Sequence, residues 1–292
     1  MADITAAMVK ELRERTGAAM MDCKKALTKT DGDVEAAVEQ MRKDGMAKAD
    51  KKASRVAADG TIAIAQNDGA IAVVEVNCET DFVAKGDDFQ AMAKRAASEA
   101  LAQRPASIES LTALGTPPLD EERRAMIAKI GENMTFRRFE VVDKASGGFN
   151  YYLHGTRIGA VVVLEGGSNE LARDIAMQVS AMNPAYISVA HIPADKVAAE
   201  REIALAQAAE KVKGKPAEIV EKIIGGVVGK ALNELTLVAQ AFVKNPDQTI
   251  EQLLAQHKAK IVSFVRYEVG QGIEKEVVDF AAEVAAAAAA AG

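Results

Sequence analysis

The chain has 292 residues, 49% hydrophobic and 27% charged, with a formal net charge of −6. That length predicts two or three domains of an ordinary globular protein. Its acidity, its 4% of aromatic residues and its lack of tryptophan argue against binding nucleic acid through phosphates or stacked bases.

No apolar run reaches the ~20 residues of a membrane helix. The N-terminus, Met1-Ala2-Asp3-Ile4-Thr5, has no secretory pattern. The two cysteines, Cys23 and Cys78, stand far apart and outside any C-x-x-C spacing. That excludes a disulfide framework and a zinc site and fits a cytoplasmic protein.

Three short helices are predicted first. Met8, Val9 and Leu12 share a face before a stop at Thr16-Gly17, and Cys23 and Leu27 pair on a helix beginning near Met20. Asp31-Gly32-Asp33 is a turn and N-cap for a helix carrying Val34, Ala37, Val38 and Met41 up to Gly45. Met46 to Ala58 reads as a helical tether, with Lys48, Lys51, Lys52 and Arg55 as a solvated helix end or linker.

A hairpin follows: Thr61 to Ala65, the turn Gln66-Asn67-Asp68-Gly69, and Ala70 to Val76. The loop Asn77 to Phe82 leads to a helix from about Asp87 to Gln103. A proline-containing linker, a helix from about Leu119 to Ile130 and a strand from Thr135 to Val142 come next. Phe149 to His154, Ile158 to Glu165 and a helix from Glu170 to Met182 repeat the hairpin-then-helix order, which suggests a duplicated core. Ala194 to about Leu232 predicts two antiparallel helices broken at Lys213-Gly214-Lys215-Pro216, a projecting arm for dimerisation or docking. A helix around Gln248 to His257, a strand from Ile261 to Val269 and a helix from Glu274 into the alanine tract complete the chain.

Enzymatic patterns fail on context. Gly270-Gln271-Gly272 follows a strand, but Lys275 replaces the third glycine and no βαβ unit follows. Gly225 to Lys230 has the wrong glycine spacing for a phosphate loop, and Ala231 replaces the hydroxyl that would hold magnesium. His154, His191 and His257 are scattered without metal-ligand spacing, and no nucleophile elbow occurs. A non-enzymatic protein with no cofactor of its own is expected.

Two stretches hold the eye. In Thr80-Asp81-Phe82-Val83 a large ring stands beside a carboxylate just after an apolar strand. Spacing favours Phe82 folding back to plug the core while Asp81 caps the next helix, with a binding loop as the alternative. In Gly17-Ala18-Ala19-Met20-Met21, adjacent methionines suit an adaptable binding surface, although packing of one of them inside the bundle is expected.

The runs Leu12-Arg13-Glu14-Arg15-Thr16-Gly17 and Met21-Asp22-Cys23-Lys24-Lys25-Ala26-Leu27 closely resemble the N-terminal pattern of the elongation factor Ts family. Glu75 to Ala84 is similar to its second pattern. Ile130-Gly131-Glu132-Asn133, His154 to Gly159 and Phe264 to Gly270 extend the likeness, while Ala19 stands where the bacterial family usually has glycine.

The resemblance implies an α+β protein: a ubiquitin-associated-like three-helix bundle with its tether (1–56), then a duplicated core with antiparallel sheets. The core halves are expected at 57–144 and at 145–187 with 236–272, the helical-hairpin insertion at 188–235 and a C-terminal helical module at 273–292. It implies a guanine-nucleotide exchange factor that binds elongation factor Tu with GDP and promotes GDP release by disturbing the magnesium and phosphate site. It assigns partner binding to Arg13, Met20, Met21, Thr80, Asp81, Phe82, Val83, His154 and Gly155, with Asp81 and Phe82 acting on the partner's magnesium site. Homodimerisation through the hairpin is open, and neither nucleic acid nor membrane is an expected partner. The competing class is a general binding module, a ubiquitin-associated-type bundle on an α+β scaffold.

Overall fold

The computed structural model describes residues 3–274. The helix expected from Glu274 onward lies outside the described residues. An N-terminal bundle is formed by α1 (Ala6–Thr16), α2 (Met20–Lys29) and α3 (Val34–Lys52). Val9, Leu12, Cys23, Leu27 and Ala37 make its small core, and the Asp33 carboxylate accepts the Ala36 N–H to start α3.

α3 does not stop at Gly45. It runs seven residues further, as one helix with the expected tether. The reason is packing: a Cβ at Gly45 would stand 3.4 Å from that of Ala128, so the missing side chain lets α3 lie close against α7 (Leu119–Ile130). The basic end of α3 is also less solvated than expected. The Lys52 ammonium donates to the Gly131 carbonyl at the end of α7, and Arg55 lies 3.4 Å from the Glu79 carboxylate.

The core is two three-stranded antiparallel sheets with one plan. The first has the order β1 (Asp59–Gln66), β2 (Ala70–Cys78), β3 (Met134–Asp143). The second has the order β4 (Phe149–His154), β5 (Ile158–Glu165), β8 (Lys260–Glu268). Asn77 and Cys78, expected in a loop, extend β2. The turn after them becomes a short helix, α4 (Asp81–Ala84). Between β2 and β3 lie α5 (Asp87–Gln103), α6 (Ile108–Thr112) and α7; between β5 and β8 lie α8 (Asn169–Met182) and the insertion.

Strand alternation explains the layering. On β2, Ile71 and Val73 face Val161 and Val163 of β5 between the sheets. Ala72, Val74 and Val76 face Phe89, Met92 and Ala96 of α5. On β5, Ala160, Val162 and Leu164 face Leu171, Ile175 and Val179 of α8. Both central strands are therefore covered on both faces, which is why they read as nearly unbroken apolar runs although the sheets are antiparallel.

The insertion is a helical hairpin, α9 (Ala194–Val212) and α10 (Ala217–Glu234), closed on itself by Ala204, Ala208, Ile224 and Val228. At its base the Leu235 carbonyl accepts the Ala185 and Tyr186 N–H groups. The short pair β6 (Ala241–Phe242) and β7 (Asn245–Thr249), absent from the sequence reading, leads into α11 (Ile250–Gln256). No helix of the described residues is long and apolar enough to cross a membrane.

A buried polar group ties the two sheets together. The Glu75 side chain on β2 is fully buried. It accepts from Arg137 Nη1 (3.0 Å), Arg138 Nε (2.6 Å), Asn77 Nδ2 (3.1 Å) and the Gly270 N–H (2.8 Å). Arg138 also stacks on the Tyr267 ring, 4.2 Å from its centroid. Gly270 has φ +74°, and a Cβ there would run into the Ala58 carbonyl, so only glycine brings this N–H to the carboxylate. Burial by itself would raise the Glu75 pKa. The Gly270 N–H, Asn77 and the two guanidinium groups outweigh it and hold the pKa below the ordinary value.

Glu75→Gln should lower stability at neutral pH by about 3–5 kcal/mol, because it leaves two guanidinium groups without their carboxylate. The folded pKa is depressed, so this stabilisation is complete above the unfolded value of about 4.3 and fades as pH falls through the folded one. Urea denaturation of both proteins should show the gap narrowing below about pH 4; a gap independent of pH would refute an ionised Glu75.

Candidate functional site

The site starts where β2 ends. Thr80 is the N-cap of α4, its Oγ1 accepting the Val83 N–H at 3.4 Å. Thr80 thus caps α4, while α5, the helix Asp81 was expected to cap, has Gly86 at its N-cap and no side-chain cap. The Thr80 N–H donates to Glu132 Oε2 (3.0 Å) and its hydroxyl to Glu132 Oε1 (2.7 Å). The Thr80 carbonyl accepts from the Cys78 thiol (3.1 Å) and the Ala84 N–H (3.2 Å). Every polar atom of Thr80 is engaged, by Glu132 and Cys78 from behind the turn and by Val83 and Ala84 within it.

Asp81 opens α4 and pairs with Lys85 one turn on, at 2.6 Å. Both side chains are at least half exposed, so the pair is worth under about 1 kcal/mol and is readily exchanged for another partner. Phe82 does not fold back. It is 82% exposed, more than any other large apolar side chain among the described residues. The expectation that it plugs the core fails because that space is filled by Phe89 and Met92 of α5, both buried against β2. Phe82, Val83 and the exposed Ile130 border an open hollow of about 420 Å³.

The other expected residues fall into two groups. His154 ends β4 and Gly155 follows with φ +59°, both exposed on the β4–β5 turn. The turn is held against β1: the Thr156 carbonyl accepts the Ile62 N–H at 2.7 Å, and Arg157 reaches Asp59 at 2.9 Å. Asp59 is paired with Cys78 in the first sheet, so this turn and the Thr80–Val83 turn share one end of the core. Arg13, Met20 and Met21 lie on the bundle, apart from both. All three are exposed, the methionines at 59% and 63%, so neither methionine packs inside as expected. An open cleft of about 1380 Å³ runs between the bundle and α6 and α7, with Met21, Met41 and Ala125 among its lining.

Glu132, Glu79 and Asn133 were assigned no part from sequence. Asn133 donates its N–H to Glu79 Oε1 (2.6 Å) and its side-chain amide to the Arg55 carbonyl (2.7 Å). The available signal was the run Ile130-Gly131-Glu132-Asn133, two acceptor-rich residues just after a helix. No group of three or more His, Cys, Asp or Glu among the described residues could hold a metal ion.

Comparison with known proteins adds the family. A family model described as Elongation factor TS matches residues 79–271. The protein named elongation factor Ts from Methylococcus capsulatus is 55% identical over 288 residues, covering 97% of this chain and 98% of that one. Proteins of the same name from Thioalkalivibrio sulfidiphilus (54% over 290 residues, 98% of each chain) and Xanthomonas axonopodis pv. citri (52% over 285 residues, 97% of each) are similar over the same extent.

The surroundings of this turn also silence a thiol. Burial first, then the Glu132 and Asp59 carboxylates, push the Cys78 pKa up to about 12. Iodoacetamide at pH 8 should label Cys78 on the order of 10³-fold more slowly in the native protein than in urea. Peptide mass spectrometry would read it; equal rates would mean that the turn is open.

Proposed function

The chain belongs to the elongation factor Ts family, and on that premise we propose that it is a guanine-nucleotide exchange factor for elongation factor Tu in translation. It binds the GDP form and promotes release of the nucleotide. The chemistry sits in the partner, where backbone amides and a magnesium ion hold the phosphates. This chain acts by binding the nucleotide-free form more tightly than the GDP form, since coupling between two ligands is reciprocal.

The observation that carries the reading is Phe82, a large ring held out in solvent on a turn fastened from behind. Burying it in the partner contributes about 2 kcal/mol. A thousandfold weakening of GDP requires about 4 kcal/mol of differential binding, so the ring cannot act alone. Asp81, released from Lys85, supplies charge at the displaced magnesium site, with Thr80 and Val83 flanking the wedge. Arg13, Met20 and Met21 dock the bundle on the nucleotide-binding domain, and His154 with Gly155 grips a second domain. Two-point attachment keeps the wedge at high local concentration while GDP departs. To α9–α10 we assign the part of a dimerisation or docking arm, supported by Ile203, Leu205, Ile219 and Val227 on its exposed surface.

Phe82→Ala should slow maximal GDP release about 30-fold, the loss of roughly 2 kcal/mol of differential binding. Stopped-flow release of a fluorescent GDP analogue measures it, and unchanged acceleration would sink the wedge. Arg13→Ala combined with Met20→Ala should instead raise the half-saturating concentration about tenfold and spare the maximal rate. A normal half-saturating concentration would show that the bundle does not dock.

A further inference from the structure

We infer that Glu132 is a positioning residue for exchange, holding the Asp81–Phe82 turn in the one conformation that presents the ring. The inference rests on the reading of that turn as the exchange element. It follows from how the turn is held. A large apolar side chain usually fixes the segment that carries it by burying itself, but Phe82 contributes no such anchor because it faces solvent. The conformation must therefore be set by groups on the inner side.

Val83 and Ala84 pack on the core there, and the polar groups converge on Thr80. One carboxylate, brought from a turn 52 residues away, accepts both its N–H and its hydroxyl proton. Giving its proton to Glu132 leaves the Thr80 oxygen free to accept the Val83 N–H. Glu132 thus sets the cap that winds residues 81–84 into a helical turn. The contact is reciprocated, since Glu79 accepts the Asn133 N–H at 2.6 Å, so that one carboxylate from each segment braces the other. Asn133 then ties the brace to the Ala53 and Arg55 carbonyls, just beyond the last helix of the bundle. A loop ordered only on contact would spend on its backbone more than one buried ring returns. The brace removes that cost before the partner arrives.

The test is a double-mutant cycle on maximal GDP release from elongation factor Tu, using the full chain as wild type, Glu132→Ala, Phe82→Ala and both together. Glu132→Ala should lower the maximal rate about tenfold and leave the half-saturating concentration within about threefold, because docking surfaces elsewhere are untouched. Glu132→Gln keeps an oxygen for the Thr80 N–H and should lose only about threefold; it reads the same cycle if the alanine variant does not fold. In the Phe82→Ala background either substitution should change the rate by less than about twofold, since a group that acts through the ring has nothing left to position. Full effects in both backgrounds, or a normal rate for Glu132→Ala, would overturn the inference while leaving the wedge intact. A normal rate for Phe82→Ala would overturn both.

Discussion

A carboxylate with no exposed surface stays ionised only if donors surround it, and the set around Glu75 fixes how the two sheets meet. Arg137 and Arg138 come from β3, Asn77 from β2 itself, and the Gly270 N–H from just beyond the last strand of the second sheet. Such a group need not add net stability over a well-packed apolar one. What it enforces is register. Slipping β2 by one residue would carry Glu75 into the apolar layer beneath α5 and turn Val74 or Val76 toward two guanidinium groups. The strand is thereby pinned three residues before it ends at Cys78, and the turn that follows starts from a fixed point.

From that point the energetics of the turn decide whether an exposed ring is useful. Ordering the four residues from Thr80 to Val83 on binding would cost about 4–8 kcal/mol of backbone entropy. Burying Phe82 offers about 2 kcal/mol. An unbraced turn would lose more than it gained, so rigidity matters more here than the size of the ring. The hydrogen bonds that supply it are partly buried and involve ionised acceptors, each worth about 1.5–3 kcal/mol. Two or three of them cover the deficit.

Much of the scaffold was legible in the sequence. Alternation and turn residues located the β1–β2 and β4–β5 hairpins, and 3.6-residue periodicity located α5 from Asp87 to Gln103, as observed. The failures share a cause. Gly45 looked like a stop because its partner, Ala128, is distant in the chain. Phe82 looked like a plug because a large apolar ring is usually inside, and nothing local says that Phe89 and Met92 already fill the space. α6 and the β6–β7 pair are too short to carry a period. At the site, resemblance pointed to Asp81 and Phe82 but not to Glu132, whose role exists only once α7 has delivered it to Thr80. Local pattern identifies what a residue can do; a brace depends on what the fold sets opposite it.

The same reasoning links the two turns at this end of the core. Thr61 is fully buried, and its hydroxyl lies 3.4 Å from both the Thr156 carbonyl and Gln90 Oε1. Gln90 Nε2 in turn donates to the Ala84 carbonyl, the last residue of α4, at 2.5 Å. The turn carrying His154 and Gly155 is therefore bonded to β1 and the helix carrying Asp81 and Phe82 to α5, and the single hydroxyl proton of Thr61 is shared between the two at their buried junction. In the proposed two-point clamp the second contact adds only if the separation of the two matches the partner's. A flexible connection would spread that separation over many values and dilute the gain. Here it is set by β1, whose Ile62 N–H bonds the Thr156 carbonyl while its neighbour Thr61 reaches toward α5. The spacing is inherited from the sheets, and so from the carboxylate that registers them.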